Sequence, residues 1–294
     1  MSGYVPKIGK VTKPPRTYQF ESAKLDMLSF CTSPVEITGL GCSEFSTHAT
    51  GFFWKHNDQS YLVTNWHVLT GLNPLTGERN SKALIPESVH FFCSTLSSAD
   101  DNPSLFAPTR KRCRVELYQS DRARWYQHPN FEDERIDIAA IPLENVCRVD
   151  DACHVNQYGF QKLFHMVGGD VLIVGYPLGS YDGWMVPIWK RGSLATEPLV
   201  QIDDKPMFLV DAATTEGMSG SPMFRRVFGP AALADNSMKL DAVVTTEFVG
   251  VYAGNLMSSE LGRINVGYGW YGRLVDEIVT AKIQGNSDIF ETTR

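Results

Sequence analysis

The chain has 294 residues, of which 43% are hydrophobic and 20% are charged, a balance typical of a globular protein with a sizeable buried core. The formal net charge of -6 argues against nucleic acid as the main partner, because binding to phosphates needs a basic surface. The basic, proline-rich N-terminal region has no apolar run typical of an export signal, and no apolar stretch of the chain is long enough to span a bilayer. We therefore expect a soluble, cytoplasmic protein that binds neither nucleic acid nor membranes.

The predicted elements are mostly short strands. Residues 1–34 show no periodicity, and we expect an extended arm there. The runs that follow are rich in Val, Ile, Phe and Tyr and are bounded by Gly, Pro, Asn and Asp, as strands are. The predicted strands lie at residues 35–40, 50–54, 61–64, 89–92, 114–118, 136–142, 171–176, 188–195, 207–211, 222–224 and 244–252. Many short strands separated by turns predict an all-β sandwich or barrel.

One helix is predicted near the end of the chain. Tyr271, Leu274, Val275, Ile278 and Val279 recur at the spacing of one helix face. Long polar stretches predict surface loops at residues 71–88, 97–112, 120–135, 145–169 and 226–242, and a polar tail at residues 285–294.

The cysteines predict neither a disulfide framework nor a metal site. They are Cys31, Cys42, Cys93, Cys113, Cys147 and Cys153. Without an export signal, reduced and mostly buried thiols are expected. No CxxC pair and no Cys/His cluster with zinc spacing occurs, and no cysteine lies in an activating motif. We therefore expect no metal, no cofactor and no cysteine nucleophile.

The strongest functional motif places Ser219 between glycines, directly before a hydrophobic strand. In the sequence GMSGSP at residues 217–222, a tight turn would project the Ser219 hydroxyl into a cleft. Gly217 allows a backbone conformation that aims its own N–H at the same point as that of Ser219, as an oxyanion hole requires. The alternative interpretation is an ordinary polar turn between two strands.

A serine nucleophile needs a base, and His67 is the best candidate. It lies in the segment YLVTNWHVL at residues 61–69, at the end of an apolar β run, and a strand would hold its ring rigidly. A packed core or edge histidine is the alternative.

The residue that orients the base is predicted to be Asp137. It lies within the apolar run IDIAAI at residues 136–141, where burying a carboxylate is costly without a strong partner. A turn-capping role at the start of a strand is the alternative.

The order His67, Asp137, Ser219 on a β pattern resembles the chymotrypsin-like serine peptidases, closest to bacterial glutamyl endopeptidases and high-temperature-requirement proteases. The motifs are TNWHV at residues 64–68, IDIAAI at 136–141 and GMSGSP at 217–222. Smaller similarities are TGFF at residues 50–53, VGYPLG at 174–179, KRGSLA at 190–195 and VGVYAG at 249–254. The resemblance covers roughly residues 45 to 283.

The resemblance implies two six-stranded antiparallel Greek-key β-barrels with the active site between them and a C-terminal α-helix. The peptidase domain is expected at residues 35–284, with barrels at about 35–160 and 161–270 and the helix at 270–283. Met218 precedes the nucleophile where animal digestive enzymes have an aspartate that pairs with a freshly cut N-terminus. We therefore expect the uncut chain to be competent.

The resemblance also implies which residues line the specificity pocket: Ala213 and Thr214 on one side and Tyr252, Ala253 and Gly254 on the other. No acidic residue falls at the pocket floor, so cleavage after Arg or Lys is disfavoured. Tyr252 replaces the pocket histidine of glutamyl endopeptidases, and we expect a small or polar uncharged side chain in the pocket.

The expected function is a serine endopeptidase acting on a protein or peptide substrate, with a regulatory protein partner and a defence role as further expectations. The alternatives are a catalytically silent trypsin-like binding module and an esterase using the same nucleophile, because a fold does not by itself imply an activity.

Overall fold

The protein is built mostly of strands, and the all-β class is confirmed. A computed structural model describes residues 20–21, 25–39, 45–79, 85–99, 102–120, 122–179, 186–197, 200–258 and 262–286. Its strands are β1 (Phe20–Glu21), β2 (Thr32–Gly39), β3 (Phe45–His56), β4 (Gln59–Thr64), β5 (Pro86–Ala99), β6 (Asn102–Glu116), β7 (Tyr118–Gln119), β8 (Arg122–Ala123), β9 (Tyr126–Gln127), β10 (Ala139–Pro142), β11 (Asp170–Gly175), β12 (Ile188–Leu194), β13 (Met207–Asp211), β14 (Pro222–Phe228), β15 (Ala231–Ala232), β16 (Met238–Lys239), β17 (Val244–Ser258), β18 (Gly262–Tyr271) and β19 (Ile283–Gln284). Its helices are α1 (Trp66–Thr70), α2 (Phe131–Glu134) and α3 (Arg273–Ala281), with 3₁₀ turns at Met27–Phe30, Asp151–Cys153, Val155–Gln157 and Pro177–Gly179.

The N-terminal half, together with β19 from the end of the chain, forms a nine-stranded antiparallel sheet in the order β1-β6-β5-β2-β3-β4-β10-β9-β19. The six longer strands are neighbours in the sheet, in the order β6-β5-β2-β3-β4-β10. The two-residue strand β1 lies at one edge, and the two-residue strands β9 and β19 lie at the other. The strands enclose an apolar core that includes Phe53, Phe91, Trp66 and Trp125. We call this half the N-terminal sheet.

The C-terminal half is a closed barrel of six strands in the order β11-β12-β13-β18-β17-β14. Its interior holds Val171, Ile173, Phe208 and Met223. Of the two predicted six-stranded barrels, the C-terminal barrel is confirmed, and the nine-stranded N-terminal sheet takes the place of the other in a structure of two β units.

A third apolar cluster joins the two halves. Phe52 and Trp54 from β3 meet Phe248 from β17, with ring centroids 5.7 and 5.2 Å apart respectively. Leu274 and Ile278 of α3 belong to the same cluster. The two units therefore share a continuous apolar core.

Helix α3 confirms the predicted C-terminal helix. Leu274, Val275, Ile278 and Val279 are buried, whereas Tyr271 ends strand β18 just before the helix begins. Within the described ranges, no helix is both long and apolar enough to cross a membrane. Most of the expected N-terminal arm and the end of the tail, residues 1–19 and 287–294, lie outside the described residues.

Three predicted loops contain regular structure. The polar stretch 97–112 belongs largely to the long β5–β6 hairpin, which pairs from Ser88↔Glu116 to Ala99↔Asn102. Backbone pairing in a local hairpin does not need the apolar alternation by which strands were predicted. The stretch 120–135 holds β8, β9 and α2, and 226–242 holds β15 and β16.

The expectation of reduced thiols is wrong for two cysteines. Cys93 and Cys147 form a disulfide, while Cys31, Cys113 and Cys153 are free and buried as expected. Spacing along the chain could not show this pair, because the two cysteines are 54 residues apart and meet only through the fold. Cys42 lies outside the described residues.

Candidate active site

His67 lies on the short helix α1, not on a strand as predicted. Strand β4 ends at Thr64, and α1 begins two residues later at Trp66. The helix ends at Gly71, whose φ of 69° is left-handed and whose N–H donates to the His67 carbonyl at 2.9 Å. The His67 ring is thus held by a single capped turn between strand β4 and a glycine.

Asp137 binds His67 at both ends of its carboxylate. Its Oδ2 lies 2.7 Å from His67 Nδ1, and its Oδ1 accepts from the His67 backbone N–H at 2.8 Å. Asp137 is fully buried between the buried side chains of Ile136 and Ile138, just before β10 begins. Asn65 Nδ2 donates to the Asp137 carbonyl at 2.6 Å. The buried acid therefore has the strong partner that its cost of burial requires.

This contact fixes the state of the His67 ring. With Nδ1–H donating to the carboxylate, the neutral ring presents an unprotonated Nε2 on its other side. Burial opposes the charged imidazolium, but attraction to Asp137 and the hydrogen bond to it outweigh burial and raise the pKa of His67. His67 is therefore suited to accept a proton at Nε2 and to hold it.

Ser219 lies in a tight turn that packs against β3 and β4. Gly217 and Gly220 flank it with φ values of 94° and 83°, so both take the left-handed backbone that favours glycine. A Cβ at Gly220 would lie 2.1 Å from the Thr50 carbonyl oxygen and 2.4 Å from Thr64 Oγ1. Because Thr64 ends the strand that leads to His67, this glycine allows the serine turn to approach the histidine.

The Ser219 hydroxyl donates to the Ala253 carbonyl at 3.1 Å. In the part of the chain that the structure describes, no hydrogen bond joins Ser219 to His67. The structure therefore brings His67 and Asp137 into direct contact and places Ser219 on the neighbouring turn with its hydroxyl directed toward β17.

The backbone amides of Gly217 and Ser219 have no acceptor among the described residues, whereas Gly220 N–H donates to Tyr252 O at 2.9 Å. The peptide after Gly217 is held by Thr50, whose Oγ1 donates to the Gly217 carbonyl at 2.8 Å. Two free N–H groups beside a serine hydroxyl can bind a developing oxyanion.

Three uncharged polar side chains form a compact cluster next to the serine turn. Thr214 Oγ1 lies 2.5 Å from Tyr252 OH and 2.8 Å from Asn255 Oδ1. Tyr252 OH donates to the same Asn255 oxygen at 2.6 Å. We call Thr214, Tyr252 and Asn255 the polar trio.

The predicted pocket residues occupy different depths. Thr214, Tyr252 and Ala253 are buried and Gly254 is partly exposed, but Ala213 is exposed. Sequence reasoning missed Asn255, which directly follows the VGVYAG motif. Nothing in the local pattern distinguishes it from a turn asparagine, because its role also depends on the hydroxyl group of Thr214, which comes from another segment of the chain.

Together, the β architecture and the His–Asp pair beside a glycine-flanked serine define a protein of the chymotrypsin-like serine peptidase class. The model of the trypsin-like peptidase domain family matches residues 49–228, and this range includes His67, Asp137 and Ser219. The chain belongs to this family.

Several solved structures resemble the chain at low identity. A Glu endopeptidase is 15% identical with a TM-score of 0.45, covering 92% of this chain and 98% of its own. A thermostable serine protease from an extremophilic microorganism is 12% identical with a TM-score of 0.46, covering 87% and 98%. The protease Anisep from Arthrobacter nicotinovorans is 12% identical with a TM-score of 0.47, covering 87% and 96%. No curated protein matches the chain by sequence.

Proposed function

We propose that the chain is a serine endopeptidase that cleaves peptide bonds through an acyl-enzyme intermediate. Ser219 is the nucleophile, His67 the general base and then the general acid, and Asp137 the residue that orients the ring. The amides of Gly217 and Ser219 stabilise the tetrahedral oxyanion.

The observation that carries this proposal is the double contact between Asp137 and His67. A carboxylate that binds both the ring Nδ1 and the backbone N–H of one histidine sets the tautomer and the direction of that ring. A histidine that only packs in a core would not need a fully buried acid to direct it toward a serine turn.

The Ser219 hydroxyl has to leave the Ala253 carbonyl before it can donate to His67. This needs a change of side-chain rotamer, since the backbone of the turn is fixed by the hydrogen bond from Thr50 N–H to Ser219 O at 2.8 Å. Hydrogen bonds in a catalytic site often become aligned only when substrate binds.

The hydrogen bond from Ser219 to Ala253 also favours a second candidate, a catalytically silent binding module. The Ser219→Ala variant, assayed on casein and on a simple ester, separates these functions. The proposal expects both activities in the native chain and their loss in the variant, with Ser237→Ala on the surface as the control. An unchanged casein rate in Ser219→Ala would eliminate the nucleophile, and ester cleavage without casein cleavage would favour an esterase.

We further propose that the pocket accepts a polar uncharged side chain on the acyl side of the cleaved bond. The polar trio offers hydroxyl and amide groups for hydrogen bonds but neither a carboxylate for Arg or Lys nor a cation for Glu. A buried charged substrate side chain would lack a counter-charge from the trio.

Peptide-library profiling of the native chain and of Asn255→Asp tests this pocket. The new carboxylate should raise cleavage after Arg and Lys relative to polar residues by about tenfold, which corresponds to ~1.4 kcal/mol. Asn57→Asp, in the turn between β3 and β4, should leave the profile unchanged. Dominant cleavage after Arg or Lys by the native chain would refute the assignment.

A bacterial origin, a cytoplasmic compartment, a regulatory partner and a role in defence stay predictions of the sequence. A substrate trap with Ser219→Ala in the source cells would identify the natural substrates: proteins captured by this variant but not by Ser219→Ala/His67→Ala would be candidates.

A further inference from the structure

Three cysteines meet at the N-terminal sheet, and none of them is among the proposed catalytic residues. The sulfur atoms of Cys93, Cys113 and Cys147 all lie within 4.8 Å of one another. Cys93 and Cys147 are joined as a disulfide, and Cys113 is a free thiol. A third sulfur at this distance from a disulfide is a potential nucleophile toward it.

The strand register decides which pairings are available. Phe91 lies opposite Cys113, and Cys93 lies opposite Lys111. Cys93 and Cys113 are therefore diagonal neighbours, whose Cα atoms are typically about 7–8 Å apart. This separation exceeds the usual disulfide range of up to about 6.8 Å, so a bond between these two strand cysteines is disfavoured. Cys147 is the partner that each of them can reach.

Cys147 also differs from the other two in its position. Cys93 and Cys113 are 2% and 7% exposed on strands, whereas Cys147 is partly exposed in the segment that follows β10. It lines a groove of about 530 Å³ together with Lys55, Glu144 and Arg148. A small thiol that enters this groove would therefore meet Cys147 before the more deeply buried Cys93 and Cys113.

We propose that Cys93, Cys113 and Cys147 form a thiol–disulfide exchange centre. In this centre Cys113 can replace Cys93 as the disulfide partner of Cys147. Cys113 can also displace a small thiol that has formed a mixed disulfide with Cys147. In the internal step Cys113 loses its proton and its thiolate attacks the Cys147 sulfur. The Cys113–Cys147 bond forms as the Cys93–Cys147 bond breaks, and Cys93 leaves as a thiolate that takes up the proton. One disulfide is broken and one is made, so no oxidant or reductant is consumed.

The same exchange chemistry applies when an external thiol of low molecular weight attacks the disulfide. Its thiolate attacks the Cys147 sulfur, forms a mixed disulfide there and releases Cys93. The Cys113 thiolate then attacks Cys147 and expels the small thiol. Burial raises the pKa of Cys113, while the Cys93 amide and the Lys111 charge act against this rise, so exchange should become faster as the pH increases.

Through this centre, the segment after β10 can be joined to the N-terminal sheet by either of two disulfide bonds. This segment runs beside β5, where the Asp150 N–H donates to the Ser94 carbonyl at 3.3 Å. With Cys93 or Cys113 as the partner, Cys147 stays bonded to the N-terminal sheet.

The test is the disulfide map of Cys93→Ser after treatment with oxidised glutathione. The variant should contain a Cys113–Cys147 bond and retain little glutathione, and Cys93→Ser/Cys113→Ser should hold close to one glutathione per chain at Cys147. Cys153→Ser, which removes a buried free cysteine outside the centre, should keep the Cys93–Cys147 bond. If Cys93→Ser fails to fold, Cys93→Val serves in its place.

Two results would overturn the proposal. One is a Cys93→Ser chain that carries as much glutathione at Cys147 as the double variant. The other is alkylation of both Cys113 and Cys147 in Cys93→Ser under conditions in which the native chain forms its disulfide.

Discussion

Asp137 constrains His67 more tightly than a single ion pair would. Its two oxygens bind the ring and the backbone of the same residue, and its own carbonyl is held by Asn65. The carboxylate therefore fixes both the position of α1 relative to β10 and the tautomer of the ring. Both effects act on His67 Nε2, the atom that takes the proton from Ser219 in the proposed mechanism.

Replacing Asp137 by Asn should therefore lower kcat/KM by up to about 10⁴-fold, because an amide can hold the ring in the wrong tautomer. It should also shift the pH profile. In the native chain kcat/KM should fall as the pH drops through the raised pKa of His67, above the ordinary value of 6.5, because the protonated ring cannot act as a base. Asp137→Asn removes the carboxylate that raises this pKa, so the acid limb should move to lower pH.

The matched control is Asp133→Asn on the exposed helix α2, which should keep both the rate and the profile. Steady-state assays between pH 5 and 9 would measure both kcat/KM and its pH profile. An acid limb that stays in place in Asp137→Asn would show that another group controls the profile.

At the scale of elements, α3 is attached to the N-terminal sheet by a directed hydrogen bond. His128 Nδ1 accepts from the Asn130 N–H at 3.1 Å, so the proton of the neutral ring lies on Nε2, which contacts Glu277 at 2.8 Å. Burial works against the charged form of Glu277, but hydrogen bonds from His128 and Arg273 outweigh it and lower the pKa of Glu277. The helix is held in place by this carboxylate as well as by its buried apolar face.

The Glu277→Ala variant should lose about 1 kcal/mol or less of unfolding free energy at pH 7, since the side chain is 39% exposed and solvent weakens the contact. A pKa that is lowered on folding gives stability above the unfolded value, and this stability is lost as the pH falls through the folded value. The difference between variant and native chain should therefore shrink below the ordinary pKa of 4.5. Urea unfolding at pH 7 and pH 4 measures this difference in unfolding free energy, with Glu132→Ala as the control. A difference that does not depend on pH would contradict a stabilising role for the Glu277 carboxylate.

The sequence predicts a structural feature well where a short local pattern of residues is enough to determine that feature. The apolar spacing of α3 predicted its buried face, and the glycines around Ser219 predicted a tight turn. His67 was placed on a strand because its apolar neighbours suit a strand, and only the turn at Gly71 shows that they form a helix. Asn255 and the Cys93–Cys147 bond could not be predicted, since each depends on distant segments that meet only in the fold.

At the scale of the whole molecule, Thr50 couples the two β units at the active site. It lies on β3 and is fully buried, and its Oγ1 donates to the Gly217 carbonyl and accepts from the Tyr176 N–H at 3.0 Å. Its N–H donates to the Ser219 carbonyl. One residue of the N-terminal sheet therefore positions the segment that holds the proposed oxyanion hole, through both its side chain and its backbone N–H.

The Thr50→Val variant keeps the shape but removes the hydroxyl, which leaves the Gly217 carbonyl and the Tyr176 N–H without this partner. We expect a loss of about 2 kcal/mol or more in stability and a fall of roughly 10- to 100-fold in kcat with little change in KM. Thr50→Ser should restore both. A loss of stability without any loss of kcat in the folded fraction would show that Thr50 has only a structural role.

In the proposed mechanism, His67 activates Ser219 in the uncut chain. Met218 is fully buried in the barrel core and offers no carboxylate to a new N-terminus, so activation by N-terminal cleavage is not expected. The direct measurement is labelling of the intact chain with a fluorophosphonate, followed by peptide mapping. We expect one label per chain on Ser219, none in Ser219→Ala and much slower labelling in His67→Ala. A label on another residue, a rate independent of His67, or a reaction that appears only after trimming of the N-terminus would contradict it.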